Sequence, residues 1–102
     1  MGKIMRSWTG TILAVDCEAY REYIAQTGLP EYRATAGNID AWMLCRDIED
    51  DRTEVITLSL WENRAAIEAF AGKDIEQAVF YPDDDRFLIT RDLTVRHYEV
   101  FS

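Results

Sequence analysis

The chain has few of the residues that build cross-links or metal centres. It contains two cysteines and one histidine among 102 residues. Small secreted domains compensate for a thin core with many more cysteines, so that class is excluded and both thiols are expected to be free. Zinc usually requires three or four Cys, His or carboxylate ligands, and Cys17, Cys45 and His97 show no close ligand spacing. We therefore expect no metal site.

Phosphate-binding motifs and positive charge are also scarce. No glycine-rich phosphate loop or Gly-x-Ser-x-Gly elbow occurs, so nucleotide-dependent and serine-hydrolase chemistry have no support. A net charge of −8, from 19 acidic and 11 basic side chains, repels nucleic acid and anionic lipid, so neither partner is expected. The first residues lack an apolar run long enough for a signal or a membrane span, so a cytoplasmic location is expected.

The apolar content is sufficient for one core. Hydrophobic residues make up 48% and aromatic residues 12% of the chain, and its length fits a single domain over 1–102. A domain of this size leaves much of its surface in water and often gains stability by pairing with a second copy. We therefore expect a homodimer.

The periodicity of apolar residues predicts a βαββαβ order of elements. The expected strands are Ile4–Val15, Ile39–Arg46, Glu54–Trp61 and Leu93–Phe101, and the expected helices run from Asp16 to Gly28 and from Asn63 to Gly72. A short turn over Pro30–Ala36 and a helical extension over Lys73–Tyr81 are expected between them. The run Asp83–Asp85 is expected to be a solvated loop, because a calcium-loop register from Asp83 lacks the required Gly and Glu.

The helix ends are marked by residues with defined capping chemistry. Asp16 and Asn63 are expected to cap the two helices, since a short polar side chain can accept the free amide hydrogens of the first turn. Gly28 and Gly72 are expected to end them, because glycine tolerates the left-handed conformation at a helix C-terminus.

The helices can cover only one face of the predicted sheet. The strands carry Trp and aliphatic residues on both faces, so the uncovered face would expose an apolar patch of the kind that marks an interface. Two such sheets packed face to face would bury it.

The segment Leu58–Phe70, with the sequence Leu-Ser-Leu-Trp-Glu-Asn-Arg-Ala-Ala-Ile-Glu-Ala-Phe, resembles the strand, Trp-Glu-Ser, helix signature of the antibiotic biosynthesis monooxygenase family. The terminal His97–Val100 resembles that family's last strand. The resemblance implies the α+β class, with a ferredoxin-like βαββαβ fold and a four-stranded antiparallel sheet. It also implies a dimeric α/β barrel, in which a homodimer has one pocket per protomer between sheet and helices.

The family includes monooxygenases that oxidise aromatic polyketides or quinols with molecular oxygen and no metal or prosthetic group. Other members degrade haem or isomerise small metabolites. The haem-degrading pattern requires Asn on the first strand, Trp on the second helix and His ten residues later. Here the first asparagine is Asn38, and Phe70 and Phe80 stand at the Trp and His positions, so haem is disfavoured.

The resemblance implies a cofactor-independent monooxygenase that acts on a small aromatic or quinol compound. The alternative is a non-catalytic dimeric module that binds a small hydrophobic ligand or serves as a stress or partner domain. The scarcity of ionisable groups with catalytic potential supports that alternative.

Three side chains are candidates for the chemistry. His97 is the natural acid or base, because histidine alone has an ordinary pKa near neutrality; the alternative is a strand histidine hydrogen-bonded to a neighbour. Arg6 and Arg96 are candidates to stabilise an enolate or phenolate, the anion that must form before an electron passes to oxygen. The alternative is that both arginines pair with acidic neighbours at the surface.

Aromatic side chains are the candidates for substrate contacts. Trp8, Trp61, Tyr20 and Tyr98 provide flat apolar surface, and their polar atoms can orient the oxygens of an aromatic ligand. Packing in the core or in the dimer interface is the alternative for each of them. Cys17, in the first turn of a helix, is expected to be a small packing residue instead of a reactive thiol.

Overall fold

The alternating patterns of the sequence form long antiparallel strands in the computed structural model, which describes residues 2–101. The terminal positions 1 and 102 of the expected domain lie outside the described residues. The elements are β1 (Lys3–Leu13), a 3₁₀ turn (Ala14–Asp16), α1 (Cys17–Gln26), α2 (Gly28–Ala34), β2 (Asn38–Glu49), β3 (Arg52–Trp61), α3 (Arg64–Ala71), α4 (Asp84–Phe87), β4 (Thr90–Arg91) and β5 (Arg96–Val100). Within residues 2–101, no helix is long and apolar enough to span a membrane.

The sheet has the order β2-β3-β1, and two short strands share the position beyond β1. Strand β5 pairs with the segment from Lys3 to Ser7, and β4 pairs with Gly10 and Thr11. All of these pairings are antiparallel. The predicted α+β class and antiparallel sheet are therefore confirmed, with the fourth strand position divided between two strands.

One face of this sheet is covered by the helices. Along β1 the side chains of Arg6, Trp8 and Ile12 point to this face and are buried, and along β3 Val55 and Trp61 do the same. Because successive side chains of a strand point to opposite faces, the residues between them lie on the other side. We call the first side the helix face and the second the open face.

Two apolar clusters form the core on the helix face. The first includes Trp8, Ile12, Tyr20, Ile24, Val55, Phe87 and Val95, and the second includes Trp61, Ala66, Ile67 and Ile75. Burial of one large apolar side chain contributes roughly 1.5–3 kcal/mol, so these clusters are the main source of stability.

The open face remains apolar and accessible. Trp42 is 40% exposed, Leu44 44% and Tyr98 52%. The strand register places Trp42 opposite Leu58, and Tyr98 opposite Met5, on this same face. The open face therefore carries a contiguous apolar surface across all three long strands and β5.

The helix boundaries confirm two of the predicted caps and correct two. The Asn63 side chain accepts a hydrogen bond from the amide of Ala66 at 2.9 Å, and Gly72 ends α3 with a φ of 89°. Asp16 makes no capping hydrogen bond, because a 3₁₀ turn precedes α1. Gly28 begins α2 instead of closing α1, so its predicted left-handed role is wrong.

The segment between α3 and β5 differs most from the prediction. No helix forms over Lys73–Tyr81; Gln77 bridges Thr94 in antiparallel fashion, and the last strand begins at Arg96 instead of Leu93. The Asp83–Asp85 run is not a solvated loop, because Asp84 begins α4 and is only 4% exposed. Backbone pairing across the chain overrides the local preference of these residues.

Candidate functional site

A cavity lies between the helix face of the sheet and the layer above it. Its walls include Arg6 and Trp8 of β1, Tyr20 of α1, Tyr32 of α2, and Tyr81 and Asp84 at the start of α4. The space free of protein atoms is about 410 Å³, but the centre of a water molecule fits into only about 30 Å³ of it. At roughly 10–15 Å³ per water, this is room for two or three waters. The cavity is therefore a narrow space with polar groups at several points on its walls.

Arg6 is fixed to the backbone at the base of the cavity. Its side chain is 2% exposed, Nη1 donates a hydrogen bond to the carbonyl oxygen of Ile75, and Nη2 donates to that of Gln77 at 3.0 Å. The guanidinium carbon also lies 5.8 Å from the centre of the Phe70 ring. The segment after α3 thus supplies the carbonyls that hold this cation in place.

In the part of the chain that the structure describes, the charge of Arg6 has no acidic partner. Within residues 2–101 it forms no salt bridge with a carboxylate. Burial lowers the pKa of Arg6, and the neighbouring Tyr32 partly opposes this shift. A buried charge without a counter-ion is costly, and arginine stays protonated in proteins. The site therefore presents a positive centre suited to an anionic oxygen.

His97 contacts this cation from outside the cavity. Nη1 of Arg6 lies 3.0 Å from Nε2 of His97. Because arginine has only donors, Nε2 is the acceptor and the ring proton is assigned to Nδ1. Burial and the charge of Arg6 lower the pKa of His97, which favours the neutral ring. His97 lines a shallow surface depression together with Arg64, Glu76 and Arg96.

Asp84 provides a carboxylate on another part of the cavity wall. Its Oδ2 accepts a hydrogen bond from the amide of Tyr81 at 2.6 Å. Burial raises the pKa of Asp84, although the Tyr81 amide and the positive charge of Arg91 oppose that shift. The group is a buried carboxylate whose proton affinity is higher than that of an ordinary aspartate.

Three tyrosines add neutral hydroxyl groups. The hydroxyl of Tyr32 lies 3.4 Å from Oγ1 of Thr57. The hydroxyl of Tyr81 is buried without a well-formed hydrogen bond among the described residues, and the carboxylate of Glu31 lies close to it. Burial is the main cause that raises the pKa of Tyr20, Tyr32 and Tyr81. All three phenols are therefore protonated near neutral pH and can donate hydrogen bonds.

Two aromatic rings form the wall next to solvent. Nε1 of Trp8 donates to the carbonyl oxygen of Asp92 at 2.8 Å, which fixes the indole against the cavity. The ring of Phe80 meets Trp8 edge-on at a centroid distance of 6.3 Å and is stacked under Arg91 at 4.8 Å. Phe80 lines the cavity and is 36% exposed, so its ring separates the cavity from solvent.

The structure divides the residues predicted for the site into three groups. Arg6, Trp8 and Tyr20 line the cavity, and His97 contacts it through Arg6. Trp61 is fully buried in the core, where Nε1 donates to Oγ of Ser59 at 2.8 Å.

Arg96 and Tyr98 form the third group. They alternate with His97 along β5 and face Ser7 and Met5 of β1, so both belong to the open face. The structure therefore does not bring them together with the cavity residues.

Sequence reasoning missed Tyr32, Tyr81 and Asp84 as site residues. A usable signal existed for Asp84, because a proline followed by acidic residues and then by Phe87 is typical of a helix N-terminus. The approach of α4 to the cavity, which makes Asp84 a wall residue, depends on long-range packing that local sequence does not reveal. Within residues 2–101, no group of three His, Cys, Asp or Glu side chains is placed to hold a metal ion.

The fold belongs to the ferredoxin-like α+β class, as comparison with solved structures confirms. One similar structure is that of a candidate antibiotic biosynthesis monooxygenase from Bacillus cereus, with a TM-score of 0.71 and 20% identity over 100% of this chain and 96% of that one. Another is a protein from Shewanella oneidensis, with a TM-score of 0.68 and 19% identity over 97% of this chain and 91% of that one.

A third similar structure is a dimeric ferredoxin-like protein from an uncultured marine organism. It has a TM-score of 0.64 and 17% identity over 100% of this chain and 98% of that one. No protein-family model and no curated protein sequence matches the chain. At these sequence identities, the structural similarity shows the fold alone. It confirms the fold that the resemblance of Leu58–Phe70 implies.

Proposed function

We propose that the protein is a cofactor-independent monooxygenase that acts on a small aromatic or quinol compound in the cavity on the helix face. The observation that carries this proposal is Arg6, a buried cation that forms no salt bridge within residues 2–101 and borders an aromatic-lined space. The fold likeness to a candidate antibiotic biosynthesis monooxygenase supports the reaction class.

The proposed chemistry depends on stabilising an anion. A phenol or quinol becomes electron-rich enough to reduce molecular oxygen after it loses a proton, and a fixed cation at the resulting oxyanion favours that step. Arg6 is already held by two backbone carbonyls, so it needs little rearrangement when the charge develops. Trp8 and Tyr20 would contact the ring of the substrate.

His97 has a positioning role in this proposal. Its Nε2 accepts from Arg6, which helps to orient the guanidinium, and it does not line the cavity itself. Substrate entry requires the wall near Phe80 to open, since the cavity as it stands holds only a few waters.

The proposed assembly is a homodimer through the open face. Exposed apolar side chains such as Trp42, Leu44 and Tyr98 support this arrangement, and a structurally similar protein is dimeric. Arg96 and Tyr98 would then serve the interface instead of the substrate. Both cysteines are free thiols, which supports the proposed cytoplasmic location.

Oxygen uptake with a panel of quinols and anthrones tests the function. Arg6→Met removes a charged hydrogen-bond donor, worth about 1.5–3 kcal/mol, so uptake should fall by roughly 10- to 150-fold. Arg21→Met, at an exposed site on α1 that does not line the cavity, is the matched control and should change uptake by less than about threefold. Arg6→Lys keeps the charge and should retain part of the activity. Absence of uptake across the panel, or unchanged uptake in Arg6→Met, contradicts the proposal.

A non-catalytic dimeric module that binds a small hydrophobic ligand is the second candidate. The narrowness of the cavity favours it, because only about 30 Å³ is open to the centres of water molecules. Such a module would bind phenols without oxygen uptake, and Phe80→Ala would strengthen binding by widening the cavity. Binding without uptake therefore selects this candidate.

A further inference from the structure

The proposed reaction needs a group that accepts the substrate's proton, and His97 is not placed to do so. His97 lies in a surface depression, and its Nε2 is engaged by Arg6. Among the described residues that line the cavity, Asp84 is the only carboxylate. This inference rests on the proposed function and assigns its proton acceptor.

The hydrogen bonds of Asp84 leave one oxygen available. Oδ2 accepts the amide of Tyr81 at 2.6 Å, whereas no hydrogen bond to Oδ1 occurs within residues 2–101. The backbone is fixed as well, since the amide of Leu88 donates to the carbonyl oxygen of Asp84 at 2.9 Å. The carboxylate is therefore held on the cavity wall through Oδ2, and Oδ1 is available to take a proton.

The charged neighbours of Asp84 are Arg91, Asp83 and Asp85. Arg91 forms a salt bridge with Asp85, with Nη2 2.5 Å from Oδ1. Asp83 is exposed, and its amide donates to the hydroxyl of Tyr23 at 3.1 Å. Asp84 itself forms no salt bridge within the described part of the chain.

The groups that face Asp84 from the packed helices are phenols. They are Tyr20 and Tyr23 of α1 and Tyr32 of α2, and they become charged only at high pH. Arg91 and the two neighbouring aspartates are the groups near it that carry charge at neutral pH. The titration of Asp84 is therefore governed by burial, the Tyr81 amide, Arg91, Asp83 and Asp85.

We propose that Asp84 is the proton acceptor of this cavity and that its substrates are phenols or enols with a dissociable hydroxyl proton. The O–H bond of the substrate breaks, and the proton moves to Oδ1 of Asp84. The electron pair stays on the substrate, and Arg6, on the wall of the same cavity, stabilises the negative charge that results. The buried hydroxyl of Tyr81, on the wall of the same cavity, donates a hydrogen bond to the bound substrate. Net charge is conserved within the complex.

A chromophoric phenol separates this role from simple binding. We would titrate the full-length protein with 4-nitrophenol at a pH below the probe's own pKa and record the absorbance of the bound phenolate. Calorimetry in buffers of different ionisation enthalpy gives the number of protons released on binding. The parent protein should bind the probe as phenolate without releasing a proton to the buffer.

In Asp84→Asn, the fraction of the bound probe that is phenolate should fall at least tenfold at saturation. Any phenolate that still binds should release about one proton to the buffer. Asp84→Glu should restore part of the internal proton transfer. Asp50→Asn, at an exposed position in the turn between β2 and β3 that does not line the cavity, is the matched control and should behave as the parent does. Thermal melting verifies that each variant is folded.

The outcomes distinguish the two proposals. Asp84→Asn could form phenolate and release protons as the parent does, while binding still depends on Arg6. That result would overturn the role of Asp84 and leave the proposed function standing. Failure of the parent to bind any phenol, or binding unaffected by Arg6→Met, would overturn the proposed site and the inference together. Loss of phenolate in Asp84→Asn with oxygen uptake also lost supports both.

Discussion

The two faces of the sheet use alternate residues of the same strands for different purposes. On the helix face β1 and β3 bury polar groups, including Arg6, Thr57 and Ser59, close to aromatic rings. On the open face the same strands present Met5, Ile56, Leu58 and Leu60, and Trp42 and Leu44 of β2 are 40% and 44% exposed. Buried polar groups lower stability unless they are satisfied, whereas exposed apolar groups invite a partner. The helix face is therefore suited to chemistry and the open face to assembly.

Strand β5 shows how sharp this division is. His97 contacts Arg6 on the helix face, while Arg96 and Tyr98 on either side of it face the open side. A shift of one residue in the register would exchange these roles. The variants below compare the two faces, beginning with the largest expected effect.

The largest effect is expected for tryptophan on the helix face. Trp61→Ala should lower the free energy of unfolding by about 3–5 kcal/mol, because a fully buried ring that packs against Tyr32 and Phe70 is replaced by a cavity. Trp42→Ala, on the open face, should cost less than half of that in a monomeric background. Urea denaturation of both variants measures the difference, and equal losses would contradict the division of the faces.

A charge on the open face should act on assembly instead of folding. Leu58→Glu places a carboxylate among the apolar side chains of β3, so the dissociation constant of the proposed dimer should rise at least tenfold. Ala69→Glu, at an exposed site on α3, is the matched control. Sedimentation equilibrium measures both, and an unchanged mass distribution in Leu58→Glu would remove the open face as the interface.

The helix caps give a smaller and local effect. Asn63→Ala should lower the free energy of unfolding by about 1 kcal/mol, since the amide of Ala66 loses its acceptor. Asp16→Ala should change it by less than about 0.5 kcal/mol, because Asp16 makes no capping bond. Thermal or urea unfolding of this pair tests the capping assignment, and an equal cost at both positions would refute it.

The smallest effect concerns the pH dependence of stability. Because the pKa of Asp84 is raised in the folded protein, the folded state holds the proton more tightly than the unfolded chain does. The stabilising contribution is thus present below the ordinary value of 3.8 and is lost as the pH rises through the folded pKa. Asp84→Asn cannot ionise, so its stability relative to the parent should be greater at neutral pH than below pH 3.8. A pH-independent difference would contradict a buried carboxylate with a raised pKa.

The sequence predicted the elements whose signals are local. The alternation in β2 and β3, the Asn63 cap and Gly72 all depend on neighbours a few residues away, and these predictions are confirmed. The helical extension over Lys73–Tyr81 failed because Gln77 pairs with Thr94, a contact between distant residues.

Part of the site was also predictable from the sequence. Arg6, Trp8 and Tyr20 were named from residue type, and the structure places all three on one cavity. Asp84 was assigned to a loop because three successive aspartates usually remain in water. Its burial follows from the docking of α4 against Tyr20 and Tyr23, whose rings meet Phe87 at 5.4 and 5.6 Å.

The location of a bound phenol tests the central claim most directly. A crystal of the protein soaked with 4-bromophenol would reveal the bromine by its anomalous signal. We predict that the ring lies in the cavity on the helix face, with its oxygen hydrogen-bonded to Arg6 and within reach of Asp84, and that the ring of Phe80 has moved. A phenol found only in the depression beside His97, or only on the open face, would contradict the account.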